Sequence, residues 1–418
     1  KQPETRPDGM NDSEYRWMLV DDFVEMFNEH RAATFSPGGG ICVDESIVRW
    51  YGHGGAYVNK GLPHYVAMDR KPENGCEIQN AACIDSNIMI QLKLVKSKED
   101  EERLESRRSD KEERTELNHG TKVVLDLTKP WNHTGREIIG DSAFASVATA
   151  VECMKKGNNF TGCVKTATKE FPMQELDDHV FVRRGERKAL AHIDEHSKNT
   201  IMLAWVWLDR NRRFFITSAH GLEEGEVIFR ERWRQLDPDP NAPAERVPIH
   251  VAQPASIASY YNGAGVIDYS NRVRQDELMM DRRLQTNEWD MRVGFGIAGI
   301  IFTDTFFFHQ KTVGKEREDS CPNEFFSQLA DEMITNTIGL REMRARNVSP
   351  TAELDSVEEE MTNNMPTLRS TIKTKAASGN NTDGSKKKAQ GKCRGRCGKE
   401  STRVCSKCTH PTDPTQKC

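Results

Sequence analysis

The chain has 418 residues, a formal net charge of −5, 36% hydrophobic and 29% charged residues. That length allows about two to three domains, the low apolar share reserves part of the chain for solvated tail or linker, and the charge excludes a uniformly basic protein. No run of about 18 apolar residues occurs and the N-terminal KQPETRPDGMNDSE has no hydrophobic signal region, so the pattern predicts a soluble, intracellular protein with no membrane partner.

Residues 15–31, YRWMLVDDFVEMFNEHR, place Met18, Phe23, Met26 and Phe27 at helical intervals and predict an amphipathic helix. FSPGGG breaks it and delivers the chain into ICVDESIVRW, a strand pattern interrupted by Asp44 and Glu45. HYVAMDRK and CEIQNAACIDSNIMIQLKLVK read as strands, with IDSN as a hairpin tip. The run from Lys96 to Glu116 is nearly all charge and predicts an exposed loop or solvated helix. A strand ending at Gly140, a helix from about Ala145 to Lys155 and a strand from Phe160 to Val164 form a strand, helix, strand unit of the kind found in α/β layers. Residues 177–250, with the hairpin pattern MLAWVWLDRNRRFFITSAHG and the Pro-rich DPDPNAPAERVP, predict a β-rich insertion. SIASYYNGAGVIDYSNRVRQDELMM then passes from coil to helix, and VGFGIAGIIFTDTFFF predicts a buried helix. After about Arg341 the composition is that of a linker.

Three acids end apolar segments at matching junctions: Asp44 in ICVDES, Asp141 after EIIG and Asp268 after GAGVI. Such positions hold a carboxylate stiffly and suit a hard divalent cation, which takes oxygen ligands. Two such cations about 3.5 to 4 Å apart can assist phosphodiester displacement. By spacing alone Asp85 and Asp126 fit nearly as well, and surface solvation or capping remains the simpler account, with Asp85 best explained by the hairpin turn. His53 and His64 read as surface or hydrogen-bonded residues, Lys165 and Lys169 as solvated or phosphate-contacting lysines. Trp205 and Trp207, two apart on a strand, share a face and suit packing better than base stacking.

VDESIVRWYGHGG, GLPHYVAMDRK, GDSAFASVATAVECMKKGNNFTGCVKTA and YYNGAGVID, in that order, resemble the transposase domain of piggyBac-type elements over roughly residues 15–310. The resemblance implies an RNase H-like α/β core with a β-rich insertion, and it lays Asp44, Asp141 and Asp268 on the family's catalytic, metal-holding positions. It further implies Mg²⁺ or Mn²⁺, double-stranded DNA and transposon ends as partners, a homodimer, and a nuclear location. On the core strand Asp44 would face the metal, and Glu45 would point to the other side of the sheet. Where the family carries a further Asp after GVD, this chain has Asn271, a cofactor-contacting position with an oxygen but no charge, and Ala264 replaces one of its glycine-region residues.

The tail, CRGRCGKESTRVCSKCTHPTDPTQKC, presents Cys393, Cys397, Cys405, Cys408, His410 and Cys418 in a basic segment. Thiolates and imidazole at these intervals suit tetrahedral Zn²⁺, with a disulfide knot as the alternative. Residues 371–410 hold eleven Lys or Arg against two acids, which suits phosphate contact. The expected organisation is a helical lead-in over 1–40, first core part 41–176, insertion 177–250, second core part with C-terminal helices 251–340, linker 341–392 and a truncated zinc module 393–418. The lack of an initiating Met predicts a piece of a longer protein. Metal-dependent DNA strand cleavage and transfer is the leading expectation. A decayed or domesticated DNA-binding protein without catalysis is the second, and a RING-like interaction module in the tail the third.

Overall fold

A computed structural model of the chain describes residues 6–50, 61–67, 74–114, 116–165, 168–193, 200–225, 227–235, 243, 245–284, 286–312 and 321–335, with 409–410 and 413–417. Two units separate, Lys1–Thr335 and Asn336–Cys418. In the first, α1 (Asp12–Thr34), β1 (Gly40–Arg49), β2 (Val66–Ala67), β3 (Asn74–Cys83) and β4 (Met89–Leu94) precede α2 (Lys98–Ser106), α3 (Lys111–Arg114) and α4 (His119–Thr128). There follow β5 (Glu137–Gly140), α5 (Val147–Lys155), β6 (Asn159–Val164), α6 (Met173–Asp177), β7 (Arg187–Ile193), β8 (Thr200–Leu208), β9 (Arg212–Thr217), β10 (Ile228–Arg234) and β11 (Glu245–Val251). The unit closes with α7 (Ala255–Gly263), α8 (Val266–Arg272), α9 (Met280–Arg283), α10 (Trp289–Thr312) and α11 (Pro322–Thr335). In the second unit β12 (Thr409–His410) pairs antiparallel with β13 (Asp413–Lys417).

The central sheet is mixed, in the order β2-β3-β1-β5-β6-β9-β8-β7, with β4 also on β3. β3 pairs antiparallel with both β4 and β1, whereas β1, β5 and β6 run parallel. Helices cover both faces, as parallel strands require. On one face Ile41 and Val43 of β1 pack with Ile138, Phe160 and the α4 and α5 residues Val123, Leu127 and Cys153. On the other, Cys42 and Val48 meet α1, α8 and α10 through Trp17, Val24, Ile267, Ile297 and Ile300. Burying side chains of this size contributes about 1.5 to 3 kcal/mol each, so the alternation along β1 fixes which way its acids face.

Two glycines set close approaches. At Gly263 a Cβ would stand 2.5 Å from Ile139 Cδ1 and 2.8 Å from Ile84 Cδ1, and at Gly296 one would stand 2.3 Å from Val48 Cγ2. These approaches seat the end of α7 and the middle of α10 directly on the sheet.

The buried stripe of α1 is Trp17, Val20, Val24 and Phe27, while Met26 is exposed. The i, i+3, i+7, i+10 spacing of that stripe, rather than the Met18 to Phe27 set, is the one that keeps a helix face on a sheet. Helix α7 begins at Ala255 behind Pro254, earlier than the expected coil-to-helix passage, and the break falls at Ala264–Gly265. The charged run is not simply solvated. Arg114 is buried and contacts Glu105 at 2.7 Å and Asp126 at 3.1 Å, and Asp100 is buried and accepts from Ser13 Oγ at 2.6 Å and Ser97 Oγ at 2.8 Å. Opposite charges interleaved at helical spacing neutralise one another and allow the segment to lie on α4 and α1. Of the stretch expected as an insertion, β7, β8 and β9 continue the central sheet beyond β6, and β10 with β11 forms a separate two-stranded ribbon. Helix α10 is long and apolar enough by length and composition to cross a bilayer, yet its buried residues pack on β1, α1 and α11 within the unit.

Candidate active site and metal centre

β1 and β5 run side by side from Gly40↔Glu137 to Val43↔Gly140. One residue further on, where this parallel ladder ends, stand two acids: Asp44 in the middle of β1 and Asp141 just past the carboxyl end of β5. Asp141 starts the turn into α5: its Oδ1 accepts from Ala143 N at 2.7 Å and its carbonyl from Phe144 N and Ala145 N. Asp44 Oδ1 accepts from the backbone N–H of Glu45 at 2.8 Å. Asp44, Glu45 and Asp141, all half-buried, each offer one oxygen within 4.8 Å of the others.

The third acid comes from across the face. α8 packs on β1, and its first turn carries Asp268. Desolvation pushes the buried Cys42 thiol up most, and the charges of Asp44, Asp141 and Asp268 each push it further. Asp268 itself stands outside the 4.8 Å group. Asp44 is held well above the ordinary carboxylate value, first by burial, then by the hydrogen bond and charge of Glu45, with Asp141 adding to the same effect. Clustered like charges that resist ionisation are relieved by a dication, and a donor set made only of carboxylate oxygen suits Mg²⁺ or Mn²⁺ rather than a softer metal.

Beyond Val43, no strand among the described residues pairs with β1 on its β5 side. Side chains from the end of α8 and the π-helical turn Val273–Leu278 take that place. Asn271 Nδ2 donates to Glu45 O at 3.5 Å, and Arg274 Nη2 and Gln275 Nε2 donate to Ile47 O at 3.2 and 3.4 Å. Arg274, buried, also donates to Asn271 Oδ1 at 3.2 Å.

Residues 11–302 match the family described as Transposase IS4. The chain belongs to that family. No curated protein sequence matches it. Among solved structures, a piggyBac transposase seen by cryo-EM in a synaptic complex with hairpin DNA superposes with a TM-score of 0.56 at 16% identity, over 94% of this chain and 71% of that one. Family and fold together make this a piggyBac-type transposase.

In this piggyBac-type transposase the expected aspartates lie on β1, after β5 and on α8, with Asp44 and Asp141 brought together and Asp268 outside their group. Asp85 and Asp126 lie elsewhere: Asp85 Oδ2 accepts from Gly39 N at 3.2 Å in the β3–β4 turn, and Asp126 pairs with Lys93 and Arg108, each at 3.3 Å, and with Arg114. Asn271, the expected cofactor contact, gives its oxygen to Arg274, so a cation there would share that oxygen with a guanidinium. Strand alternation alone places Glu45 across the sheet, yet its carboxylate reaches the Asp44–Asp141 group. Its two-methylene stem can turn over the side of β1 that no strand covers. Trp205 and Trp207 are core residues, with Trp207 Nε1 donating to Ala252 O at 2.9 Å, while Lys165 and Lys169 are exposed. Sequence reasoning gave no role to Arg274 or Tyr260; the latter is buried against Phe215, and the YYN motif was its only signal. His53, Cys393, Cys397, Cys405, Cys408 and Cys418 lie outside the described residues, and His410 is described only as part of β12.

Proposed function

We propose that this chain is a DDE-type DNA transposase whose Asp44, Asp141 and Asp268 hold Mg²⁺ or Mn²⁺ for DNA strand cleavage and transfer. The observation that supports the reading is the meeting of Asp44 and Glu45 of β1 with Asp141 just past β5, beside the helix that carries Asp268. The strand order β4-β3-β1-β5-β6, with its first two pairings antiparallel and its last two parallel, supports an RNase H-like core. When bound, the cation supplies positive charge that lowers the pKa of an attacking oxygen and stabilises the leaving one. Glu45 adds a fourth carboxylate to the site. Arg274 and Gln275 fix the β1 backbone beside Asp44, and Arg274 orients Asn271.

By likeness to the relative captured on hairpin DNA, we take double-stranded DNA with the element's ends as substrate and a homodimer as the working form. The spacing of Cys393, Cys397, Cys405, Cys408, His410 and Cys418 supports a zinc module beside this core. The test is nicking of duplex DNA carrying the element's terminal repeats in Mg²⁺ or Mn²⁺. The unmodified chain should cut, and Asp44→Asn, Asp141→Asn and Asp268→Asn should each abolish cutting while leaving DNA affinity unchanged. A second reading, a DNA binder without catalysis, draws on Asn271 in place of a carboxylate, and uncut substrate with retained binding would establish it.

A further inference from the structure

The acids of the site form one compact group. Asp44, Glu45 and Asp141 each bring an oxygen within 4.8 Å of the others, a spacing that suits one hard cation, while Asp268 stands outside them. Two-cation phosphodiester chemistry needs oxygens that hold a pair of ions about 3.5 to 4 Å apart. One helical turn past Asp268 on α8, the side chain that reaches β1 is that of Asn271, a neutral amide.

That amide is already committed. Its Nδ2 donates to Glu45 O at 3.5 Å, and its Oδ1 accepts from Arg274 Nη2 at 3.2 Å. Turning the amide over would set its NH₂ group against a guanidinium, donor to donor, so Arg274 fixes which way the oxygen points. The guanidinium is itself clamped. Arg274 is 2% exposed, its Nη2 also donates to Ile47 O at 3.2 Å, and its stem lies against α10 at Gly299, where a Cβ would stand 3.3 Å from Arg274 Cγ and 3.4 Å from its Cδ. A guanidinium keeps its proton in any protein setting, so a full positive charge is built in one hydrogen bond behind Asn271. A dication drawn to the Asn271 oxygen would meet that charge in a poorly screened interior, where like charges repel more strongly than in water.

We propose that this site takes a single divalent cation, among Asp44, Glu45 and Asp141, and that Arg274 bars a second by setting a fixed positive charge behind Asn271. The inference rests on the transposase reading for the kind of cation and deepens it, because it states how many the site holds and which residue decides the number. Arg274 acts through Asn271 and is a positioning residue.

The experiment counts Mn²⁺ on the full chain without DNA, by calorimetry and by the electron paramagnetic resonance of the ion, and takes as core sites those that vanish in Asp141→Asn. The unmodified chain should show one. Asn271→Asp should still show one, its new carboxylate answering Arg274, and Arg274→Met should show one, because the amide stays neutral. Asn271→Asp combined with Arg274→Met should show two, with the spin-coupled spectrum of ions about 3.5 to 4 Å apart. Arg274→Lys in the Asn271→Asp background keeps the charge and should return the count to one. An arginine that only braced the fold would give no such dependence on residue 271. Gln275 Nε2 still donates to Ile47 O at 3.4 Å when Arg274 is replaced, and thermal melts matching the unmodified chain identify the variants that fold. Two core Mn²⁺ on the unmodified chain would overturn the proposal without any variant and leave the transposase reading standing. A folded double variant that still holds one would overturn it as well, and no core Mn²⁺ at all would overturn both. One Mn²⁺ on a chain that leaves terminal-repeat duplex uncut would defeat the catalytic reading alone.

Discussion

Gly296 seats α10 on β1, and replacing it tests whether that seat is tight. An alanine methyl at this position would lie 2.3 and 2.8 Å from the two Val48 methyls and 3.2 Å from its Cβ, so no rotation of Val48 clears the space. Helix or strand must shift, at about 1 to 3 kcal/mol for an added methyl in a filled core. Exchanging glycine for alanine within a helix returns about 1 kcal/mol, which leaves Gly296→Ala up to about 2 kcal/mol less stable. Val48→Ala alone removes two methyl groups at about 0.8 kcal/mol each and leaves a void, for about 2 to 3 kcal/mol. In the double variant the methyl added on α10 enters that void, so the pair should cost about 1 to 2 kcal/mol rather than the sum, a coupling of about 2 kcal/mol. Urea unfolding of the four proteins, compared at a common m value, measures this. A stabilised Gly296→Ala, or double-variant additivity to within about 0.5 kcal/mol, would refute the seat.

Other outcomes follow from the polar contacts. His220 Nε2 stands 3.1 Å from Glu137 Oε1; that hydrogen bond, chiefly, raises His220 above its ordinary 6.5, while Glu137, despite burial, is drawn below 4.5 by hydrogen bonds from His220, Thr161 and Ser259. The raised His220 contributes stability below pH 6.5 that is lost as pH rises through its folded value, and the lowered Glu137 contributes above pH 4.5 and is lost as pH falls through its own. Thermal melts of His220→Gln against the parent should therefore differ most between those two values and converge in alkali; a gap that ignores pH would count against the pair. Asp304, 2% exposed, meets Arg31 Nη2 at 2.7 Å and Met89 N at 3.0 Å, and burial raises it to about 7. Arg31→Met should cost about 3 kcal/mol in denaturant titrations at alkaline pH, where the carboxylate is left buried without its cation, and clearly less in acid, where Asp304 keeps its proton in the fold. Asn271→Asp should pair with Arg274 and leave Mn²⁺ affinity by calorimetry unchanged; a tightened affinity would make residue 271 a ligand.

The hairpin tip at Asp85, the β5–α5–β6 unit and the buried Trp205–Trp207 pair were legible because each is a local pattern: turn residues, a switch of period, a two-residue repeat. The meeting of Asp44 with Asp141 was legible only through the motifs around them, since 64 acids compete by spacing alone. What escaped is what the long-range pairing decides. Nothing local in EIIGDSAF tells which strand lies beside it, so the meeting of Asp141 with Glu45 is invisible until β1 and β5 are placed in register. Arg274 reads as one more surface charge until the π-helical turn directs it inward. The run of charge at Lys96 to Glu116 was unreadable for the same reason, because Asp126, the shared partner of Arg108 and Arg114, arrives on a later helix.

The sealing of β1 by Asn271, Arg274 and Gln275 bears on how the chain survives its own synthesis. A strand with one side open is a template for pairing with another chain, and from Asp44 to Arg49 the groups that occupy that side among the described residues are side chains from more than 220 residues later. Until those residues leave the ribosome, the growing chain carries a sticky, half-finished sheet. Chains ending before residue 271 would therefore be lost to aggregation rather than persist as partly folded cores. The helix that carries Asp268 is also the one that begins to make the polypeptide safe to release.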